Sequence, residues 1–378
     1  MKKILMLLIV LSTALSASAD LRTESPESIL HSMTLREKVG QLFVILPDHL
    51  DPALSLDQIN DTRAEGVKSL SPSMIETLRD YPAGGFIFLA KNMASPSQLV
   101  KYTSDLKSAS GIYPVMAVDE EGGRVARIAN KNVFNVRKYP STEAIAKSGK
   151  VRQASSYIAS YLKRYGFNLD FAPVADINTN PENIVIGDRA FGSDPQYVSK
   201  MVSEYLDGLH SQGIAGSIKH FPGHGDTKGD THEDYVAVYK TWDELLRAEI
   251  IPFRDNLKKA DTVMSAHITM KNVTHDNLPA SLSREIITGK LRNELGYGGV
   301  IITDAISMGA ISKNYASSEA AILAIEAGND IVLMPWDYKE AFDGVVNAVK
   351  NGRISENRIN ESVLRVLKLK AEMLKQQK

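Results

Sequence analysis

Residues 213–232 read GIAGSIKHFPGHGDTKGDTH. The first part, Gly213–His220, is a short apolar run that stops on two basic side chains, Lys219 and His220. Pro222 and Gly223 then break any helix early. A helical pattern returns only near Trp242, so the connection is about twenty residues long, where ordinary βα connections have about 2–6. An apolar run ending in charge, a loop and then a helix is the unit from which the rest of the chain is read.

Seven further runs of this kind occur: Val39–Leu46, Gly84–Leu89, Tyr113–Asp119, Asn168–Asp176, Thr262–Thr269, Gly299–Asp304 and Asp330–Pro335. Apolar residues at helical spacing lie between them, over Ser155–Tyr165, Val198–Gln212, Trp242–Leu257, Ser317–Gly328 and Glu340–Lys350. Nearly continuous apolar strands alternating with helices predict a parallel sheet covered by helices. Eight units predict closure into a (β/α)8 TIM barrel, with an open doubly wound sheet as the competing arrangement. Residues 20–38 are expected to form an N-terminal helix, and Ile354–Leu374 the closing one. No linker divides residues 20–378, which are expected to form a single domain.

The chain has 378 residues, 43% of them hydrophobic, enough to bury a core and exclude global disorder. Residues 1–19 read as a secretory signal peptide: Lys2 and Lys3, an apolar stretch Ile4–Leu15, and the small residues Ala17-Ser18-Ala19 before Asp20. The structural alternative is a buried N-terminal helix. Cleavage predicts an exported protein, periplasmic or extracellular, without stable membrane insertion. There is no Cys, which excludes disulfides, thiolate catalysis and Cys-ligated metals. The formal charge is −1. No basic patch points to nucleic acid. A monomer with no cofactor is expected.

Several runs end on polar groups: Asp119, Asp176, Lys219-His220, His267 and Asp304. Side chains from different strands converge at the C-terminal face of a TIM barrel, and a core has no use for so many charges. In the long loop, His220, His224 and His232 could bind a metal, but their spacing matches no familiar zinc motif. Alternatively, Asp230 could orient His232 for proton transfer, as a carboxylate fixes an imidazole tautomer. A solvated loop is the bland alternative. Asp304 reads either as the N-cap of the following helix or as a nucleophile toward an anomeric carbon. Asp119 reads either as an acceptor of paired sugar hydroxyls or as an ion-pair partner for Arg124 or Arg127. Arg189 lies in the loop after the fourth strand.

The ordered motifs GGFIFL (84–89), VDEEGGRVAR (118–127), LDFAPVADIN (169–178), IGDRAFG (186–192), KHFPGHGDTKGDTH (219–232), VMSAHI (263–268), PASLS (279–283) and VIITDAISM (300–308) resemble glycoside hydrolase family 3, in its single-domain β-N-acetylglucosaminidase subgroup. The likeness runs from REKVGQLF (36–43) to RINESVLRVLKLK (358–370). It implies a retaining, exo-acting enzyme that releases terminal β-linked N-acetylglucosamine. Asp304 would be the nucleophile and Asp230–His232 the acid/base dyad. Asp119, Arg127, Arg189, Lys219 and His220 would hold the sugar, with Asp176 and His267 as shell or cleft residues. The expected partner is a small carbohydrate, from peptidoglycan fragments or chitin-like oligosaccharides. The family's β-glucosidases instead take a carboxylic acid from a second domain. The dyad leaves phosphorolysis open, because a neutral His does not repel phosphate.

Overall fold

A computed structural model describes residues 20–227 and 236–376. Each of the eight apolar runs contains a strand: β1 Phe43–Ile45, β2 Gly85–Phe88, β3 Val115–Val118, β4 Leu169–Asp170, β5 Ala215–Phe221, β6 Thr262–Ser265, β7 Val300–Ala305 and β8 Ile331–Leu333. All neighbours pair in parallel, and β1 pairs with β8 through Phe43 opposite Val332, so the sheet closes into a barrel in chain order. The open sheet is thereby excluded.

Period-2 alternation divides the strands between two cores. Val44, Val115, Ala117, Val300, Ile302, Ile331 and Leu333 fill the barrel interior. Phe43, Ile45, Met116, Val118, Ile301 and Val332 face the surrounding helices. The terminal helix Glu356–Gln376 sends Val366, Leu369 and Met373 into the interior cluster. It also meets the strand beginnings, through Lys370 to Gln41 at 2.6 Å and Arg365 to Asp330 at 2.9 Å. The helix therefore plugs the N-terminal rim and leaves the opposite rim for loops.

Four local expectations need correction. The helix expected over 20–38 is two, Pro26–Ser32 and Leu35–Gln41. Thr34 starts the second with a capping box, its hydroxyl accepting from Glu37 N while Glu37 accepts from Thr34 N at 2.7 Å. Consequently Val39–Gln41 is helical and the first strand begins at Phe43. The helix expected over Trp242–Leu257 is also two, Trp242–Leu246 and Ile251–Asn256, the second opening on Pro252, which has no N–H to give a preceding turn. The run Thr262–Thr269 leaves the barrel after Ser265, and Ile268–Asn272 pairs in parallel with Val236–Thr241, a strand inside what read as one long loop. Among the described residues, no helix is long and apolar enough to cross a membrane.

Candidate active site

The site is built at the strand ends. After β3 the chain makes a small antiparallel hairpin, Glu120–Gly122 with Val125–Ala126. Gly122 and Gly123 turn it at φ +90° and +74°, and a Cβ on Gly123 would lie 2.7 Å from Ser141 Cα. Glycine is required there on both counts. The three consecutive acids at the hairpin's start point in different directions. Asp119 Oδ1 accepts from Lys219 Nζ at 3.0 Å and Oδ2 from Arg127 Nη2 at 3.1 Å. Glu120 turns inward and accepts from Ile128 N, Ala129 N and Tyr161 OH, each at 2.8 Å. Glu121 accepts a two-pronged bond from Arg189, Nε at 2.9 Å and Nη2 at 2.7 Å, and also pairs with Lys219 at 2.7 Å.

The network continues across β4 and β5. Arg189 Nη2 lies 3.4 Å from His220 Nε2, and His220 Nδ1 lies 2.7 Å from Asp176 Oδ2. The carboxylate fixes the ring orientation, with Nε2 toward the guanidinium. Asp176 also accepts from His224 N at 2.7 Å. Asp176 lies six residues beyond the two-residue β4, and an isolated bridge between Val174 and Lys219 holds it against β5. Six of the residues singled out in the sequence, Asp119, Arg127, Arg189, Lys219, His220 and Asp176, thus form one connected set.

The charges in this set sustain one another. Burial alone would raise the Asp119 carboxyl, but Lys219 and Arg127 outweigh it and hold it well below the usual range. Burial likewise opposes ionisation of Glu121, yet Arg189 and Lys219 bring it down to about 2. Lys219 is desolvated, and Glu121 with Asp119 keeps its ammonium above the ordinary value. Asp176 is lowered against burial by His220. His224 is pushed down to about 4, first by burial and then by His220, so it is neutral at pH 7. Among the described residues no group of three His, Cys, Asp or Glu side chains could hold a metal ion. His220 and His224 instead engage Asp176 and Thr227.

On the facing side, Asp304 is the last residue but one of β7 and is partly exposed. Its Oδ1 accepts from Ala305 N at 2.7 Å. The next helix, Gly309–Ser312, has Met308 at its N-cap and no side-chain cap, so Asp304 is not a helix cap. Its charge reaches His224, across the mouth on the β5 loop. His267 stands behind it rather than in the polar network: Nε2 lies 2.9 Å from Ala305 O and Nδ1 2.7 Å from Ser281 Oγ. His267 therefore fixes the backbone next to Asp304. Asp230 and His232 lie outside the described residues.

The sequence did not single out Glu121, which ties Arg189 and Lys219 together. Its signal was three adjacent acids at a strand end with too few local cations, a pattern that demands partners from other strands. Ser281 was also passed over, and His224, weighed only as a metal ligand, instead engages Thr227. The ion pair considered for Asp119 is made by Arg127 and not by Arg124, which pairs with Asp188 at 3.2 Å and donates to the carbonyls of Ile184, Val185 and Ile186.

A TIM barrel that gathers linked acidic and basic side chains from several strand ends, with a further carboxylate at Asp304, defines a candidate active site. Residues 34–369 match the family described as glycosyl hydrolase family 3 N terminal domain, and the chain belongs to that family. Beta-hexosaminidase A of Pseudoalteromonas piscicida is 32% identical over 342 residues, covering 83% of this chain and 57% of that protein. A family 3 beta-N-acetylglucosaminidase structure from Paenibacillus sp. str. FPU-7 superposes with a TM-score of 0.80 at 35% identity, over 91% of this chain and 63% of the other. The structure of LpqI from M. tuberculosis superposes with a TM-score of 0.77 at 27% identity, over 92% of this chain and 96% of that one. The chain thus spans less than two thirds of the first two relatives.

Proposed function

We propose that residues 20–378 form the catalytic domain of a retaining β-N-acetylglucosaminidase. The observation that carries this reading is the pairing of Asp304, at a strand end, with the connected wall of Asp119, Arg127, Lys219, Arg189 and His220. Acidic and basic members of that wall suit hydroxyl donors and acceptors on one sugar ring. The relatives, a beta-hexosaminidase and a beta-N-acetylglucosaminidase, favour the N-acetylated sugar.

The chemistry balances as a double displacement. Asp304 attacks the anomeric carbon as the glycosidic bond breaks, and His232 protonates the departing oxygen. His232 then takes a proton from water, which displaces Asp304 and restores the free sugar. Asp230 orients the His232 ring. Aryl β-glycosides of N-acetylglucosamine should turn over faster than those of glucose, and the reverse order overturns the reading. Asp304→Ala should abolish turnover. His232→Ala should lose about 10²–10⁴ in rate. The substrate class is peptidoglycan-derived fragments or chitin-like oligosaccharides. Product analysis on both, with and without phosphate, separates hydrolysis from phosphorolysis.

Export follows from residues 1–19. Amino-terminal sequencing of the protein recovered from outside the cytoplasm should begin at Asp20. An intact Met1 there would refute cleavage.

A further inference from the structure

The chain leaving β8 is held from three sides. Ile306 N and Ser307 N, just beyond Asp304, donate to Leu333 O and Met334 O, each at 2.9 Å. Met334 has φ +45°, a conformation that residues other than glycine keep only where their surroundings dictate it. From the loop after β1, Asn60 Nδ2 donates to Trp336 O at 2.9 Å and to Leu56 O at 2.8 Å. Asp337 N donates to Ser317 Oγ at 3.0 Å, and Asp337 caps the helix Tyr338–Lys350.

The Trp336 side chain takes no part in this. Leu333 and Met334 belong to the barrel interior, and Val332 and Tyr338 to the layer facing the helices. Trp336 lies between them in sequence and belongs to neither cluster. It is partly exposed, and among the described residues its one hydrogen bond is at the carbonyl, so the indole N–H has no protein acceptor. The other indole of the chain is treated in the opposite way. Trp242 is 8% exposed, and its Nε1 donates to Glu294 Oε1 at 2.5 Å. Tryptophan repays its large apolar area by packing, and its N–H by finding an acceptor. At Trp336 the fold supplies a fixed backbone and neither of these partners.

The position of Trp336 says which part of a ligand would supply them. Around the closed barrel the polar wall stands at the ends of β3, β4 and β5, Asp304 lies near the end of β7, and Trp336 follows β8. In a β-linked N-acetylglucosaminide the C1–O1 bond is equatorial and continues the C4–C1 line of the ring. A ring whose hydroxyls engage the wall and whose C1 lies at Asp304 therefore sends its aglycone past β7, toward β8 and β1. The aglycone of either substrate class is a pyranose with equatorial substituents, whose C–H faces are flat and apolar.

We infer that Trp336 is a specificity-determining residue, an indole platform on which the leaving-group sugar stacks. The inference rests on the proposed role of Asp304, which sets the direction of the glycosidic bond. It gives the enzyme a preference for a saccharide over a small aglycone.

The test uses the full chain and two substrates, N,N′-diacetylchitobiose and methyl β-N-acetylglucosaminide, which has no second ring to stack. In Trp336→Ala the ratio of kcat/KM for the first over the second should fall about tenfold. Inhibition by free N-acetylglucosamine, which fills only the subsite at the wall, should be unchanged. Trp336→Phe should restore much of the ratio. Binding supplies a readout without turnover: diacetylchitobiose should alter the indole emission of Asp304→Ala, and should not alter that of Asp304→Ala with Trp336→Phe, where Trp242 is the one indole left. An unchanged ratio, or weakened inhibition by N-acetylglucosamine in Trp336→Ala, overturns the platform and leaves the proposed activity standing. If the unaltered enzyme turns over neither substrate and Asp304→Ala binds neither sugar, the proposed activity falls and the platform with it.

Discussion

Replacing Glu121 by Gln should damage the protein more than any other single change in the polar wall. The carboxylate faces Lys219 and both prongs of Arg189, and the Lys219 and Glu121 side chains are 2% and 1% exposed. The amide keeps the shape but removes the charge, and its NH₂ sets a donor against donors. Two routes give the magnitude. The carboxyl falls from the ordinary 4.5 to about 2, and each pKa unit is worth about 1.4 kcal/mol, so its ionisation contributes about 3 kcal/mol of stability. Removing one member of a buried pair costs about 3–5 kcal/mol by a separate route. The sign is that of a depressed acid. The contribution is fully present above pH 4.5 and is lost as pH falls toward 2. Thermal unfolding of wild type and Glu121→Gln, followed from pH 7 to pH 2, should show a large gap at neutral pH that narrows through the acid range. In parallel, kcat/KM should fall because Lys219 and Arg189 lose their common anchor. A variant as stable as wild type at pH 7, or a gap that does not close in acid, would refute the account of Glu121 as the wall's charge anchor.

Other changes test other levels of the structure. Lys370 is fully buried with Gln41 as its hydrogen-bond partner, and burial pushes its amine down to about 7. The unfolded chain binds more protons between pH 7 and 10.5, so stability should rise across that window. Lys370→Met with Gln41→Leu should raise the melting temperature at pH 7 and flatten this alkaline rise. An unaltered slope would show that Lys370 is not its source. Gly123→Ala should cost about 1–2 kcal/mol from its positive φ alone, with more from the backbone of Ser141, and should weaken substrate binding through the loop that carries Arg127. Full stability by thermal melt would show that the turn relaxes freely. His267→Ala should lower kcat more than it raises KM, because it frees the backbone beside Asp304 and leaves the polar wall intact. A KM effect alone would place His267 in the sugar contacts instead.

The barrel was legible because its strands are buried on both faces. Burial on both faces yields continuous apolar runs such as Val115–Val118, whose ends are visible in the sequence as the first charge. What the runs concealed was the point at which a strand leaves the barrel. Thr262–Thr269 reads as one strand, yet Ser265 is its last barrel residue, and Ile268 belongs to a separate pair with Val236. Apolar character is the same in either sheet, so only tertiary pairing separates them. The break between Met33 and Thr34 was legible in principle from Thr34 and Glu37, a capping box, but the helical spacing of Leu30, Met33 and Leu35 masked it. Within the site, position at strand ends pointed to residues that the structure connects, such as Asp119 and Lys219. Glu121 was not singled out, because its importance lies in a pairing with Arg189, 68 residues away, and such a pairing has no local signature.

That dependence on distant partners links the fold to the site. Asp119, Glu120 and Glu121 are adjacent on one hairpin, and their repulsion must be relieved by groups from elsewhere. Glu120 is relieved by backbone amides and Tyr161, which belong to the packing around it. Asp119 and Glu121 are relieved by Lys219 at the end of β5 and by Arg189 in the loop after β4. None of these pairings exists until β3, β4 and β5 lie side by side. Closing the barrel therefore brings Lys219 and Arg189 to the hairpin and assembles the polar wall. The same wall is costly if any member is lost, since burial leaves the remaining charges without solvent to replace it. Asp304 is placed by another strand, β7, beside the Ala305 backbone that His267 holds. Glu121→Gln should weaken the fold and the hold on the sugar together, whereas Asp304→Ala should remove turnover from a barrel that still folds and still binds.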